Sequence, residues 1–365
     1  MILAGDIGGT NTTLALVRHR LGRFDILRTM RFSTQDERSL MEPLARFLAV
    51  LSEQSSRTPI DTCCISAAGP VRDGSIQLTN APWSISGAEI QERFGIPVHL
   101  INDFTAVSYA VILLDAGDRG QIRHIPHTDG AIPMPGQGMA LVVGAGTGLG
   151  MGFVDKGPGG TCRAFPSEGG HSSLPCWDEL SLDFYLWMGE RIGSEPGIEL
   201  AASGQGIGNI FGFLCSDSFD PATASRTGTA ASHSAAAFGA RGGSPGEIAS
   251  SILLRPEQER PALIAANRRA DPRCSLTMEL FCEYYARKVS SLASVFLPSG
   301  GIYLAGGISS KNEDFLVESN RFMRIFERNY APHIQEFLAT LPVMIVRDYS
   351  ISLIGAANAA IQLGR

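Results

Sequence analysis

"MILAGDIGGTNTTLALV", residues 1–17, runs apolar into Gly8-Gly9 and then straight back into residues that sort by period two: Thr12, Leu14 and Leu16 against Thr13, Ala15 and Val17. With its β-branched content, this predicts a strand, a glycine turn and a second strand, a hairpin. A dinucleotide-binding fold would need a helix directly after its first glycine loop. The hairpin therefore reads against an NAD-binding domain. "GMALVVGAGTGLGMGFV", residues 138–154, repeats the style, with strand again over 151–154. Two such units suggest two related halves, and hence a duplication.

Around these units, residues 39–51 have helical periodicity, 62–66 read as a short strand, and 76–78 as another strand. "WSISGAEIQERFG" leads into a helix. Residues 216–240 are rich in Ala, Ser, Gly and Thr and read as a long loop or surface insertion. "SPGE", residues 244–247, has capping-box spacing with Pro at the first helical position, so helix resumes there. A long helix is expected over 277–296, then the strand of "GIYLAGGI", and a small Ala-rich helix over 352–363.

The 365 residues are enough for roughly two domains. Hydrophobic residues make up 44% and charged residues 18%, the balance of a globular chain that can bury real cores. The formal charge of −6 offers no global basic field for nucleic acid or an anionic membrane. Seven cysteines, an odd number without a CxxC, read as reduced thiols in a cytosolic protein. The N-terminus reaches a glycine turn too early for a signal peptide, and "PSGG" interrupts the apolar run 289–308, so no membrane span is expected. The final "QLGR" carries no lipidation signal.

"VHLINDFTAVSYA", residues 98–110, sets Asn102-Asp103 between an apolar strand and an apolar helix expected to run over 104–114. A carboxylate there is costly unless something pairs with it or uses it. It serves as a helix N-cap or it serves chemistry. Three glycine segments bear on the choice: "GDIGGTN" (residues 5–11), "GAGTGLG" (144–150) and "LAGGI" (304–308). Glycine after a strand lets backbone N–H groups reach phosphate oxygens, and Thr10 and Thr147 add hydroxyl donors. Each segment alone reads as a tight turn, and none is a P-loop or a G-x-G-x-x-G. Three in this order, each following a β-rich run, carry more weight.

That order resembles the sugar kinase, actin and Hsp70 superfamily. Within it the chain resembles the bacterial-type glucokinase family (non-ROK), through "GDIGGTN", "LTNAPWSIS", "INDFTAVSYA", "GAGTGLG", "SEGGH", "ELAASG" and "GIYLAGGI". The resemblance implies an α/β, two-lobed actin-like ATPase (ribonuclease H-like) fold with a central cleft. The smaller lobe would take residues 1–114 plus 346–365, and the larger 115–345 with the insertion at about 216–240. It implies ATP-dependent phosphorylation of D-glucose to glucose 6-phosphate in the cytoplasm, with Mg2+ and a homodimeric assembly.

By the same resemblance Asp103 is the catalytic base, because the acceptor hydroxyl must lose its proton as the phosphoryl group arrives. Asn102, Glu168, His171 and Glu199 are sugar ligands, and Asn80 is a further candidate contact. A lone His reads as structural, a lone Glu as solvated, and the spacing of Glu199 by itself as helix surface. The Gly169-Gly170 link lets Glu168 and His171 point into one site. ATP would be held by Gly5, Asp6, Gly8, Gly9, Thr10 and Asn11, by Gly144, Gly146, Thr147 and Gly148, and by Gly306 and Gly307. Asp6 would face magnesium through water; its bland reading is turn formation. Cys176 stands alone after His171, so the zinc site of ROK relatives is not expected. Only five residues precede Asp6, leaving no space for the helix-turn-helix of the ROK repressors. Two alternatives stay open: a kinase of another hexose or amino sugar, or one using polyphosphate; and a catalytically weak sugar sensor.

Overall fold

Residues 1–17 form the expected hairpin: β1 (Ile2–Ile7) pairs antiparallel with β2 (Asn11–Arg20), Gly5 opposite Leu14. The computed structural model describes residues 1–53, 59–78, 81–226, 245–348 and 351–364. β2 turns at Leu21-Gly22, both in the left-handed region (φ 51° and 76°), into β3 (Arg23–Ser33). This third strand was not anticipated, although Phe24, Ile26, Met30 and Phe32 alternate as a half-buried strand requires. β4 (Thr62–Ala67) lies parallel to β1. β5 (Val71–Arg72), β6 (Ser75–Gln77) and β7 (Ser84–Ser86) make a small antiparallel sheet, and β8 (Val98–Asn102) pairs parallel with β4. The first sheet thus runs β3-β2-β1-β4-β8.

The second sheet contains β9 (Ile122–His124), β10 (Ala140–Ala145), β11 (Leu149–Lys156), β12 (Cys162–Ser167), β13 (Ile302–Ala305) and β14 (Val343–Val346), in the order β12-β11-β10-β13-β14-β9. Its first five strands repeat the first sheet in order and sense. β10–β11 and β11–β12 are antiparallel, as are β1–β2 and β2–β3; β10–β13 and β13–β14 are parallel, as are β1–β4 and β4–β8. The two strand–glycine loop–strand units therefore occupy equivalent places, as a duplication would put them. β9 is an extra antiparallel edge.

Each five-strand set leads into a helix, Asp103–Val111 after β8 and Ile351–Leu363 after β14. These helices lie on each other so closely that a Cβ on Gly355 would sit 1.8 Å from the Ala106 carbonyl oxygen. Asn358 Nδ2 donates to the Tyr109 carbonyl at 2.8 Å in the buried contact. The first helix also lies on the second sheet, where a Cβ on Gly144 or Gly150 would meet the Phe104 ring at 2.4 or 2.3 Å. The last helix packs Leu353, Ala356 and Ala357 with Ile2, Ala4 and Ala15 of the first sheet. Behind the second sheet, the helix Pro272–Phe296 supplies Phe281, Tyr284, Tyr285 and Val289 to the largest core.

Several expected boundaries shift. The helix after Asn102 ends at Val111 rather than 114. The long helix starts at Pro272, five residues before the expected 277, because Asp271 caps it by accepting from Cys274 N. The helix expected from "SPGE" runs Glu247–Leu253 with Gly246 as its N-cap, so Pro245 precedes the helix and supplies no first turn; Ser244 lies outside the described residues. The stretch read as a loop over 216–240 contains the helix Pro221–Arg226, and its residues 227–240 lie outside the described ones.

Candidate active site

The two hairpin turns share a backbone arrangement. Gly8 N donates to Asn11 O at 2.8 Å, and Gly146 N to Gly148 O at 2.9 Å. Among the described residues the amides of Gly9, Thr10, Thr147 and Gly148 donate to no acceptor. Thr10 and Thr147 are both exposed. Unpaired consecutive amides in a glycine turn form a nest that suits an anion. Gly5 and Gly144 lie inside strands instead. Gly5 leaves room for Ile65 and Leu14, and Gly144 leaves room for Phe104. Gly306 takes φ 86°, and a Cβ there would lie 2.5 Å from the Ala145 carbonyl oxygen. It thus brings the turn after β13 against the end of β10, and Gly307 starts the helix Gly307–Lys311.

Asp6, near the end of β1, is paired in register with Ser66 of β4. Its Oδ1 accepts from Ser66 Oγ at 3.3 Å and its Oδ2 from Ser352 Oγ at 2.7 Å. Burial raises its pKa, and the two hydroxyls oppose that rise.

At the end of β8, Asn102 caps the following helix. Its Oδ1 accepts from Phe104 N at 2.9 Å while Nδ2 donates to Gly69 O at 3.3 Å. Asp103 is the first helical residue, and its Oδ1 also accepts from Phe104 N, at 2.8 Å. Capping is thus already supplied by the neighbouring amide, and Asp103 stands one step further in. Burial, above all, pushes its carboxyl up to about 6, and the charges of Asp6 and Glu168 push the same way against the Phe104 and Asn102 hydrogen bonds. A cluster of carboxylates in which burial lifts one towards neutral pH is the pattern of a general base.

Glu168 and His171 flank the short turn Gly169–His171, 4.0 Å apart and about 70% exposed at the side chain. Gly170 is needed there for close approach, since its Cβ would lie 2.3 Å from the Leu149 carbonyl oxygen. Neither Gly169 nor Gly170 takes a positive φ. Lys288, on the long core helix, donates through Nζ to Ser172 Oγ at 2.7 Å, and Ser172 Oγ in turn donates to Gly169 O. Glu199 lies on the turn Ile198–Leu200 and is no surface helix residue. Its Oε2 accepts from Leu149 N at 2.7 Å, beside Gly148 and Gly170.

Asp6 and Glu168 thus lie within charge range of Asp103, His171 lies beside Glu168, and Glu199 stands between the 146–149 turn and Gly170. Asn80 lies outside the described residues. Trp83 is core, its Nε1 donating to Glu37 O at 3.0 Å. Sequence reasoning missed Ser66, Ser352, Gly69, Lys288 and Arg31, whose Nε donates to Asn11 Oδ1 at 3.0 Å. Ser66 had a signal, as the apolar run of β4 breaks there at the level of Asp6. Ser352, distant in sequence and set in an apolar run, had none.

A family model described as Glucokinase matches residues 3–363. The chain belongs to this family. A glucokinase of Nostoc punctiforme is 30% identical over 375 residues, covering 100% of this chain and 99% of the relative. One of Synechocystis sp. is 30% identical over 371 residues, covering 99% and 98%. Among solved structures, a glucokinase from an Antarctic psychrotroph aligns over 99% of this chain and 98% of its own at TM-score 0.74 and 24% identity. A ROK family glucokinase from Streptomyces griseus, in complex with glucose and AMPPNP, aligns over 99% of each chain at TM-score 0.57 and 21% identity. These likenesses establish the two-lobed actin-like fold. With the family, they account for the repeated sheets and the glycine turn in each.

Proposed function

We propose that this chain transfers the terminal phosphoryl group of ATP to glucose, forming glucose 6-phosphate, with Asp103 as general base. The single observation that carries this reading is the Asp103 carboxyl at the head of its helix, lifted to about 6 by burial and, in smaller part, by the charges of Asp6 and Glu168. A base with a pKa near the working pH balances being unprotonated against being basic enough to take the proton. In phosphoryl transfer the protein mainly positions and neutralises.

Asp103 takes the proton of the attacking hydroxyl. Asn102, whose amide already holds Phe104 N and Gly69 O, has one lone pair and one N–H left for the sugar. Glu168, His171 and Glu199 orient the remaining hydroxyls. The unpaired amides of Gly9, Thr10, Thr147 and Gly148 face the phosphates from the two turns, and Gly306 and Gly307 give close approach for the adenosine.

A magnesium ion suits this donor set. Among the described residues no three metal-ligating side chains cluster, and magnesium is ordinarily held by one or two carboxylates, waters and the nucleotide phosphates. Asp6, fixed by two serine hydroxyls, would face it through water. Magnesium supplies charge neutralisation on the phosphates. We also propose lobes of 1–114 with 346–365 and of 115–345, supported by the two sheets, and, on family resemblance, a homodimer in the cytoplasm.

The test is glucose-dependent ADP release from Mg-ATP, beside an Asp103→Asn variant. Turnover that requires glucose and collapses in the variant supports the reading. Full turnover in the variant would remove Asp103 as the base.

A further inference from the structure

Glu199 touches more than a sugar site requires. The segment 199–205 holds the 146–149 turn at three points: Leu149 N donates to Glu199 Oε2 at 2.7 Å, Gly204 N to Gly146 O at 2.8 Å and Gln205 N to Thr147 O at 3.3 Å. Ser203, which caps the helix Gly204–Leu214, donates its hydroxyl to the Glu199 carbonyl at 2.6 Å and so fixes the backbone that carries the carboxylate. The turn is shaped to the carboxylate. A Cβ on Gly148 would stand 2.4 Å from Glu199 Oε2, and one on Gly170 3.5 Å from the same oxygen. Thus one carboxylate oxygen is wedged between the turn that carries the unpaired amides and the turn that carries Glu168 and His171. The other oxygen, Oε1, takes no hydrogen bond from any described residue.

We propose that Glu199 is shared between the two subsites: Oε2 holds the donor turn through the Leu149 amide while Oε1 takes a hexose hydroxyl, so that the hexose steadies the turn that grips the nucleotide. This rests on the reading of Glu199 as a hexose ligand. A carboxylate anchored at one oxygen carries its second oxygen in a defined direction. Any shift of Oε1 towards a hydroxyl moves the Leu149 amide with it. Coupling of this kind is reciprocal by thermodynamic necessity. Bound hexose should therefore tighten nucleotide binding by the factor by which nucleotide tightens hexose binding. Because both contacts run through one carboxylate, changes at Glu199 or Gly148 should reach both ligands. Glu199 is in this sense a positioning residue for the donor turn.

The experiment is calorimetric titration of two ligands separately, Mg-AMPPNP without hexose and glucose without nucleotide, on the full chain and three variants. Glu199→Ala should weaken Mg-AMPPNP by about five- to tenfold in the absence of hexose, as well as weakening glucose. Glu199→Gln keeps an oxygen for Leu149 N and offers an amide to the sugar, so AMPPNP should hold within about twofold while glucose affinity falls by about tenfold. Gly148→Ala pushes on Oε2 and should weaken glucose alone by about fivefold. Unchanged AMPPNP affinity in Glu199→Ala together with unchanged glucose affinity in Gly148→Ala overturns the bridge. In that case a glucose loss in Glu199→Gln still leaves the hexose assignment standing. Unchanged glucose affinity in both Glu199 variants overturns the hexose assignment and the bridge with it. Should Glu199→Ala not fold, the isosteric Gln variant and Gly148→Ala decide the matter between them.

Discussion

Ser352 Oγ donates to Asp6 Oδ2 at 2.7 Å across 346 positions of chain. The bond ties the start of the last helix to the end of the first strand, so the two ends of the chain meet at the carboxylate proposed to face magnesium. Ser66 approaches the other oxygen from the neighbouring strand of the same sheet. Asp6 is therefore held by the neighbouring strand and by the last helix at once.

Removing that tie is expected to show in the metal dependence. Ser352→Ala loses a hydrogen bond to a charged acceptor, worth about 1.5–3 kcal/mol when buried. The magnesium concentration for half-maximal rate should rise by about tenfold or more, while the KM for glucose stays put. Rates measured across a magnesium titration at saturating glucose check this.

Asp103→Asn should lower kcat by about 10²–10⁴-fold, the contribution of a positioned general base. In the native chain, kcat/KM for glucose should fall about tenfold per pH unit below 6 and level off above it, because the carboxyl at about 6 must be ionised to act. A pH profile that stays flat from 5 to 8 would contradict this.

The same substitution should stabilise the fold at neutral pH. The folded-state pKa of Asp103 lies above its unfolded value of 3.8. Its contribution to stability is therefore fully present below the unfolded value and is lost as pH rises through about 6. Asp103→Asn escapes that loss, so its melting temperature should match the native chain near pH 4 and exceed it at pH 7. The gain should be about 3 kcal/mol at pH 7, because the carboxyl rises from 3.8 to about 6 and each tenfold in the proton equilibrium is about 1.4 kcal/mol. Thermal melts at the two pH values decide it.

Gly355→Ala should be among the most damaging small substitutions in the chain. The new Cβ would sit 1.8 Å from the Ala106 carbonyl oxygen and 3.0 Å from the Ala110 Cβ, and both neighbours belong to a packed helix that cannot swing aside. Overpacking of this kind costs about 1–3 kcal/mol or more. Because the displaced helix begins at Asp103, kcat should fall as well. Denaturant melts together with the glucose-saturated rate test both effects.

Gly150→Ala drives a Cβ to 2.3 Å from the Phe104 ring. Stability and rate should both drop, and Phe104→Leu in the same chain should restore part of each, since the smaller side chain vacates the contact. A double-mutant cycle should give a coupling of about 1–2 kcal/mol. Strict additivity would show that the two positions do not share the space.

Much of the fold was legible from short-range pattern. The hairpin at residues 1–17 and its counterpart at 138–154 declare themselves because alternation and glycine turns are local properties. β3 was legible as well, in the alternation of Phe24, Ile26, Met30 and Phe32, and went unread. Asp271 before Pro272 was a readable helix start for the same reason, a cap set next to a proline. Asp103 and the glycine turns stood out because they interrupt apolar runs.

Glu199 and Ser352 could not be read this way. The spacing of Glu199 points to a helix surface, and only the docking of residues 199–205 on the 146–149 turn makes its carboxylate a partner of Leu149. Ser352 sits in an apolar stretch and gains its meaning from Asp6, at the opposite end of the chain. By itself the sequence determined the elements, the two glycine turns and the carboxylate that interrupts the strand–helix junction, because backbone preference and burial pattern act over a few residues. The tertiary structure alone decided which carboxylates share a field, which oxygen is already held, and that Asp103 titrates near 6. Desolvation and hydrogen bonding depend on distances across space, and the separation between residues along the chain does not encode those distances.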